Sequence, residues 1–251
     1  MIVIFWDYDG TLVDTETVYK NSLISFFGEK NYWLKNLTDE YFYKNIAGRH
    51  PEEFLSKLEN DGFIKKNLNI DPFEVKKYYT KYFSELKKNE IKITKNIDKA
   101  IKKLSENKNI LMCITSSSYK KDFNIKHSNI NSEILQNLFK TEENVYLCGD
   151  IENCRFKPQP DIFEYAFKDL SQKYNITAEN CKNLFIIEDS IAGCKAGHQF
   201  KEEEINLFST TVIGYLGASV LDNSEALIEN GADIIIKNAE NLYKYLKSFC
   251  E

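Results

Sequence analysis

The 251-residue sequence lacks any apolar run long enough to span a membrane, and no two of its six cysteines have C-x-x-C spacing. Lys and Arg (33) are outnumbered by Asp and Glu (38), which argues against nucleic acid or an anionic membrane as the main partner. Internal repeats and low-complexity linkers are also missing. These absences favour a reduced protein of the cytoplasm.

The composition is that of a folded protein. Hydrophobic residues make up 43% of the sequence, enough to bury a core, and the length suits one large domain or a core with a smaller inserted domain. Residues 2–6 are apolar, but no basic residues precede them and an acid follows at once, so we do not expect a signal peptide. The sequence does not reveal the oligomeric state, and a monomer is compatible with it.

The stretch around which the chain is organised is IVIFWDYDGTLVDTE, at residues 2–16. Its first five residues are uniformly apolar, as in a buried strand of a parallel sheet. Asp7 and Asp9 follow directly. Two buried carboxylates oppose each other's ionisation, and a divalent cation such as Mg²⁺ relieves that cost. Gly10 suits a sharp turn or a close approach to a ligand.

The D-x-D-G pattern has two other interpretations. As a bare tetrapeptide it is also typical of a surface turn. A Ca²⁺ loop of the EF-hand type is excluded, because this chain has Thr11 where that loop has Asp or Asn and Val18 where it has its distal Glu.

Residues 15–90 have helical periodicity and no strong β pattern. Helices are predicted at residues 17–27, 38–46, 51–59 and 72–88. We interpret residues 15–90 as an α-helical cap inserted into a sheet domain formed by residues 1–14 and 91–251. Arg49 lies in a break between helices, where it either is solvated or holds the phosphate or polar end of a substrate.

From residue 91 the sequence alternates between helical and strand patterns. Further strands are predicted at residues 109–115, 145–148, 183–187, 211–213 and 233–236, the last at a sheet edge. Helices are predicted near residues 95–107 and 238–249, and Pro160 and Asp161 open another. The expected fold is α/β, with a doubly wound, mainly parallel sheet. The segment 198–208 is longer than a helix–strand link requires, and we have no account of it.

Polar residues follow several of these strands. Thr115 and the serines Ser116, Ser117 and Ser118 form either an anion site or a Ser-rich helix cap. Lys157 precedes a proline, which predicts an extended backbone there. Glu188 and Asp189 repeat the acidic pair. Because ligands of open α/β sheets bind at the carboxyl ends of the strands, these residues are expected to converge with Asp7 and Asp9.

Taken together, four motifs resemble those of the haloacid dehalogenase (HAD) superfamily. They are DYDGTLVD at residues 7–14, Thr115-Ser116, Lys157-Pro158 with Pro160-Asp161, and Glu188-Asp189-Ser190 with Gly193. Their order and separations make the resemblance cover essentially the whole chain. It is strongest to the phosphoglycolate phosphatase, 2-deoxyglucose-6-phosphatase and β-phosphoglucomutase group, in which a small helical cap follows the first motif.

The resemblance implies a Rossmann-like core and a role for each motif. Asp7 would be the nucleophile and Asp9 the general acid and base. Mg²⁺ would be held by Asp7, the backbone carbonyl of Asp9 and Asp189, with Glu188 nearby. Thr115 and Lys157 would complete the catalytic set. Substrate-binding residues would be Gly10, Thr11, Ser116, Ser117, Arg49 and Tyr19, with His50 a further candidate.

The implied function is Mg²⁺-dependent hydrolysis of a small phosphorylated metabolite through an aspartyl-phosphate. The alternative is a sugar phosphomutase, but mutases of this group tend to carry Val or Ile at position 11 and His at position 19, where this chain has Thr11 and Tyr19. Dehalogenation is disfavoured because dehalogenases do not use the acid that Asp9 supplies. A non-catalytic binding protein ranks last, since no acid has been lost.

Overall fold

The computed structural model describes residues 1–46, 51–86, 91–177, 179–203, 208–218 and 222–250. Within these ranges the strands form a single six-stranded sheet of order β3-β2-β1-β4-β5-β6, in which every neighbouring pair is parallel. The strands are β1 (Ile2–Trp6), β2 (Ile110–Ser116), β3 (Val145–Leu147), β4 (Asn183–Glu188), β5 (Ser209–Tyr215) and β6 (Ile234–Ile236). The predicted parallel α/β sheet with β6 at an edge is confirmed.

Helices connect the strands. They are α1 (Thr15–Glu29), α2 (Asp39–Asn45), α3 (Pro51–Asn60), α4 (Pro72–Glu85), α5 (Ile97–Ser105), α6 (Lys120–Ser128), α7 (Glu133–Leu138), α8 (Asp161–Tyr174), α9 (Ile191–Glu203), α10 (Ser224–Glu229) and α11 (Ala239–Lys247). Pro51 and Pro72 begin their helices, where a missing N–H costs nothing. In the described part of the chain, no helix combines the length and apolarity that a membrane crossing needs.

The alternation of side chains along β1 divides the core between the two faces of the sheet. Ile2, Ile4 and Trp6 join one buried cluster, which includes residues of α5 and α11. Val3 and Phe5 join the other, with residues of α8 and α9. Because both faces of β1 are covered, its continuous apolar run is explained.

The helices α1 to α4 surround a third buried cluster, which includes Leu23, Phe42, Phe54 and Val75. This cluster is separate from the two that flank the sheet. Tyr19 and Phe83 lie where it meets the core: their rings are 4.8 Å apart, and both also pack against the sheet's first cluster.

Several predicted boundaries differ from the structure. The strand expected at residues 211–213 is β5, Ser209–Tyr215, because Thr and Tyr extend the β pattern beyond the apolar centre. The helix expected at residues 72–88 ends at Glu85, and residues 87–90 lie outside the described ranges. In the unexplained segment 198–208, residues 198–203 are the end of α9.

Candidate active site

The register of the sheet aligns three motif residues. Trp6 pairs with Ile114 on β2 and with Ile187 on β4. The residues that follow, Asp7, Thr115 and Glu188, therefore lie at the same level across three neighbouring strands. The backbone N–H of Asp7 continues the ladder by donating to the carbonyl of Ile187 at 2.9 Å. All three side chains are buried at the carboxyl end of the sheet.

Lys157 reaches this level from the loop before α8. Its Nζ lies 2.7 Å from Oδ1 of Asp7, 2.5 Å from Oε1 of Glu188 and 2.9 Å from the carbonyl oxygen of Thr115. Its side chain is only 5% exposed. Burial alone would lower the pKa of Lys157, but the carboxylates of Asp7 and Glu188 reverse this and raise it, so the ammonium is retained.

The segment around Lys157, which was expected to be extended, turns. The N–H of Gln159 donates to the carbonyl of Phe156 at 3.0 Å, across a cis Lys157–Pro158 peptide bond. The bias of a residue before proline limits only that residue's dihedral angles, and it does not fix the direction of the segment.

An acidic cluster forms beside Lys157. One carboxylate oxygen from each of Asp7, Glu188 and Asp189 lies within 4.8 Å of the others. Burial and the charge of Glu188 raise the pKa of Asp7 to about 8. Burial and the charges of Asp7 and Glu188 also raise the pKa of Asp189. Acids held this close favour protons over ionisation until a cation is present, so the donor set fits a divalent metal with a preference for oxygen ligands.

Two hydroxyl groups orient the late acids. Thr11 Oγ1 donates to Oδ1 of Asp189 at 3.1 Å. Ser190 Oγ donates to Oε2 of Glu188 at 3.2 Å and accepts from the N–H of Gly193 at 2.9 Å. Thr11 was expected to bind substrate, and in the structure its hydroxyl supports a metal-binding candidate.

The carboxylate of Asp9 is held by Ser118, from the Ser-rich stretch after β2, and by Lys126, which the sequence analysis missed. Lys126 Nζ lies 2.7 Å and 2.5 Å from the two carboxylate oxygens of Asp9, and Ser118 Oγ donates to Oδ2 at 3.0 Å. The Asp9 carboxylate is not part of the acidic cluster of Asp7, Glu188 and Asp189. Only its backbone carbonyl was expected to bind metal, and that stays a prediction.

The remaining candidates differ in their surroundings. Thr115 Oγ1 is buried and has no hydrogen-bond partner among the described residues. Ser116 Oγ accepts from the N–H of Ser118 at 3.1 Å, whereas Ser117 is exposed. Tyr19 packs against Tyr79, with ring centroids 5.1 Å apart. The candidates Arg49 and His50 lie outside the described residues.

Comparison with known proteins places the chain in a family. The model of the haloacid dehalogenase-like hydrolase family matches residues 3–204. The chain therefore belongs to the haloacid dehalogenase-like hydrolase family. The expected family, Rossmann-like fold and enzyme class, a hydrolase of the HAD type, are confirmed. Among proteins with curated descriptions, none matches the sequence.

Solved structures share the fold along their whole length. A HAD family hydrolase from Deinococcus radiodurans R1, solved with bound phosphate and sodium, is 21% identical with a TM-score of 0.70, covering 98% of this chain and 95% of that one. A predicted phosphoglycolate phosphatase from Haemophilus somnus is 17% identical with a TM-score of 0.70, covering 97% of each chain. A putative β-phosphoglucomutase from Thermotoga maritima is 20% identical with a TM-score of 0.66, covering 99% of each chain.

Proposed function

We propose that this protein is a Mg²⁺-dependent phosphatase that hydrolyses a small organic phosphate monoester through an aspartyl-phosphate. One arrangement carries the proposal. Asp7 lies after β1, with Lys157 Nζ 2.7 Å from its Oδ1 and with the acids Glu188 and Asp189 close beside it. A nucleophile next to a fixed cation and a metal-binding donor set suits attack on an anionic phosphate.

In the proposed mechanism, a carboxylate oxygen of Asp7 bonds to phosphorus as the bond from phosphorus to the ester oxygen breaks. Asp9 gives a proton to the departing oxygen. It then takes a proton from the water that attacks the aspartyl-phosphate, which restores Asp7 and releases phosphate. Lys157 and the Thr115 hydroxyl would hold the transferring oxygens.

Asp7, Asp189 and the Asp9 backbone carbonyl would hold Mg²⁺, with Glu188 beside it. The ion supplies positive charge that lets an anionic nucleophile approach an anionic phosphate. Lys157 binds Asp7 through Oδ1, which leaves Oδ2 of Asp7 for the ion, whereas the two oxygens of Glu188 already accept from Lys157 and Ser190.

The pattern of relatives supports phosphate chemistry. The Deinococcus structure contains phosphate and sodium, and two of the three relatives named above carry names of phosphate-transferring enzymes. All three relatives are less than 25% identical to this chain, so they show only the fold. The proposed reaction rests on the residues at the site. We place the enzyme in the cytoplasm, where small phosphorylated metabolites are abundant.

We further propose that residues 15–90 act as a cap over the core formed by residues 1–14 and 91–251. Support comes from the separate buried cluster of the helices α1 to α4. The candidates Tyr19 and Arg49 for contacts with the substrate both belong to this cap. A small cap suits a sugar phosphate or a compound like phosphoglycolate.

A sugar phosphomutase is the second candidate, and the likeness to the Thermotoga protein favours it. Thr11 weighs against it, because mutases of this group tend to have Val or Ile at this position. Incubation with β-glucose 1-phosphate and a bisphosphate primer separates the two: a mutase gives glucose 6-phosphate without free phosphate.

The test of the proposed function is a panel of phosphate esters assayed for released phosphate, with Mg²⁺ or with EDTA. Activity is expected to need Mg²⁺ and to fall by roughly 10⁴-fold or more in Asp7→Asn, which lacks the bond-forming oxygen. Turnover that persists in EDTA, or in this variant, would refute the proposal.

A further inference from the structure

Lys126, on α6, is a buried cation outside the four motifs. Its side chain is 3% exposed, and its Nζ contacts both carboxylate oxygens of Asp9, at 2.7 Å and 2.5 Å. It also donates to Ser118 Oγ at 2.9 Å and lies 5.8 Å from the ring centroid of Tyr8. The ammonium is thus fixed between the loop after β1, the loop after β2 and its own helix.

Packing alone does not account for a lysine at this position. Lys126 lies three residues after the fully buried Phe123 on α6, and its own side chain is buried, so both residues share the face of the helix that points into the core. An apolar residue would suit that face. Buried ion pairs are on average no more stabilising than apolar residues of similar size, so the pair needs an explanation other than stability.

The contacts of Asp9 supply that explanation. Lys126 binds its two oxygens together, and Ser118, which accepts from Lys126, donates back to Oδ2 of Asp9 at 3.0 Å. The carboxylate has little freedom to rotate, because one donor contacts both of its oxygens and a second donor contacts one of them. A proton donor and acceptor must hold its orientation, since a displacement of about 1 Å can cost roughly 10²-fold in rate.

We propose that Lys126 is a positioning residue that holds Asp9, through the closed network with Ser118, in the orientation needed to pass a proton to and from the reacting oxygens. The inference rests on the proposed function. Lys126 itself does not touch the substrate, and the proton moves between Asp9 and the ester oxygen, then between the attacking water and Asp9.

The experiment measures kcat/KM, which reports formation of the aspartyl-phosphate, for two esters. One is p-nitrophenyl phosphate, whose leaving group needs little protonation. The other is the alkyl phosphate that the panel ranks first. Its leaving group is a strongly basic alkoxide, which must be protonated as it departs. Lys126→Met keeps the length of the side chain without its charge. It is expected to lower kcat/KM about 10²-fold for the alkyl ester and less than about 10-fold for the aryl ester.

Asp9→Asn should show the same selectivity, and adding Lys126→Met to it should cause no further loss, because both act through one proton transfer. The matched control is Lys121→Met, an exposed lysine of the same helix, which should leave both values unchanged. If Lys126→Met does not fold, Ser118→Ala takes its place. It should also lower kcat/KM more for the alkyl ester than for the aryl ester.

Equal losses on both esters in the folded variant, or losses that add to those of Asp9→Asn, would overturn the inference while leaving the proposed function intact. A wild-type protein that hydrolyses neither ester with Mg²⁺ would instead reject the proposed function itself, and the role of Lys126 with it. The two failures are therefore distinguishable.

Discussion

Gly10 faces Asp189 so closely that a β-carbon built on Gly10 would stand 2.1 Å from Oδ2 of Asp189. The two residues come from the first and last motifs, on loops after β1 and β4. Gly10 has a φ of +86°, in the region that favours glycine. The first motif thus needs glycine both for its backbone and for the late acid to lie against it.

Gly10→Ala is therefore expected to lower activity about 100-fold, because Asp189 must move by an ångström or more to make room. The left-handed backbone costs about 1–2 kcal/mol of stability in addition. If Asp189 binds the metal, the Mg²⁺ concentration for half-maximal activity should rise as well. Titration of activity with Mg²⁺ and thermal unfolding measure these effects.

The control for this variant is Gly28→Ala in α1, where a β-carbon meets no atom within 4 Å. It should keep full activity and gain about 0.4–1 kcal/mol. A Gly10→Ala protein with wild-type activity and Mg²⁺ requirement would contradict the prediction.

Thr115→Val tests the unpartnered hydroxyl. Because Thr115 Oγ1 is buried without a partner among the described residues, its removal should leave stability unchanged or raise it by about 1 kcal/mol. Activity should fall about 100-fold if the hydroxyl donates to a phosphate oxygen. Thermal unfolding and steady-state kinetics give the two values.

Thr210→Val is a matched control, since Thr210 Oγ1 is likewise buried without a described partner, but at the opposite end of the sheet, on β5. The same small gain in stability is expected there, with activity unaffected. Equal activity in the two variants would remove Thr115 from the catalytic set.

Lys157→Met removes the cation shared by Asp7 and Glu188. Activity should fall about 10²–10³-fold because the transferring oxygens lose a charged donor. Stability should fall too, by about 3–5 kcal/mol where both acids stay ionised. At low pH the acids can take up protons instead, so the loss of stability should be smaller at pH 5 than at pH 8.

Thermal unfolding of wild type and Lys157→Met at both pH values measures this difference. Lys168→Met, an exposed lysine on α8, is the control and should change neither activity nor stability. A loss that is the same at pH 5 and pH 8 would show that Lys157 does not neutralise the acids.

Asp189→Asn tests the electrostatic cost of the acidic cluster. The pKa of Asp189 is raised in the folded protein, so the fold retains a proton that the unfolded chain releases near 3.8. In the metal-free protein, the contribution of Asp189 to the free energy of unfolding therefore falls as the pH rises from about 4 towards the raised pKa of Asp189. Asp7, with its pKa raised to about 8, acts in the same direction.

Metal-free Asp189→Asn should consequently be more stable than wild type at pH 8, by about 0.5–2 kcal/mol, and closer to it at pH 4. Mg²⁺ should stabilise wild type at pH 8 and have little effect on the variant. Thermal unfolding with EDTA or Mg²⁺ at the two pH values checks both statements, with the exposed Glu179→Gln as control. Equal stabilisation of both proteins by Mg²⁺ would place the metal elsewhere.

The fold was largely predictable from the sequence because the strands are buried on both faces. Apolar runs such as Ile2–Trp6 and residues 184–187 are too short for helices, so they are predicted to be strands. The acids that follow them mark the carboxyl edge of the sheet. The helix α7 was missed, because its six residues are too few to show the helical repeat of apolar positions.

The site was predicted where chemistry shows in the sequence and missed where it depends on tertiary contact. Asp7, Lys157 and Glu188 come together as expected. Lys126 was missed because a lysine in a polar helix ordinarily faces solvent, and only the packing of α6 against the sheet buries it. The one available signal was its position three residues after Phe123, on the same face of α6.

The position of β1 has a consequence for biosynthesis. Its hydrogen-bonding neighbours on both sides, β2 and β4, are encoded far downstream, so during translation Ile2–Trp6 leaves the ribosome long before either partner exists. Asp7 can have all of its neighbours Lys157, Glu188 and Asp189 only after the last of them has emerged. The proposed phosphatase activity therefore requires β2 and β4 to have joined β1 in the sheet.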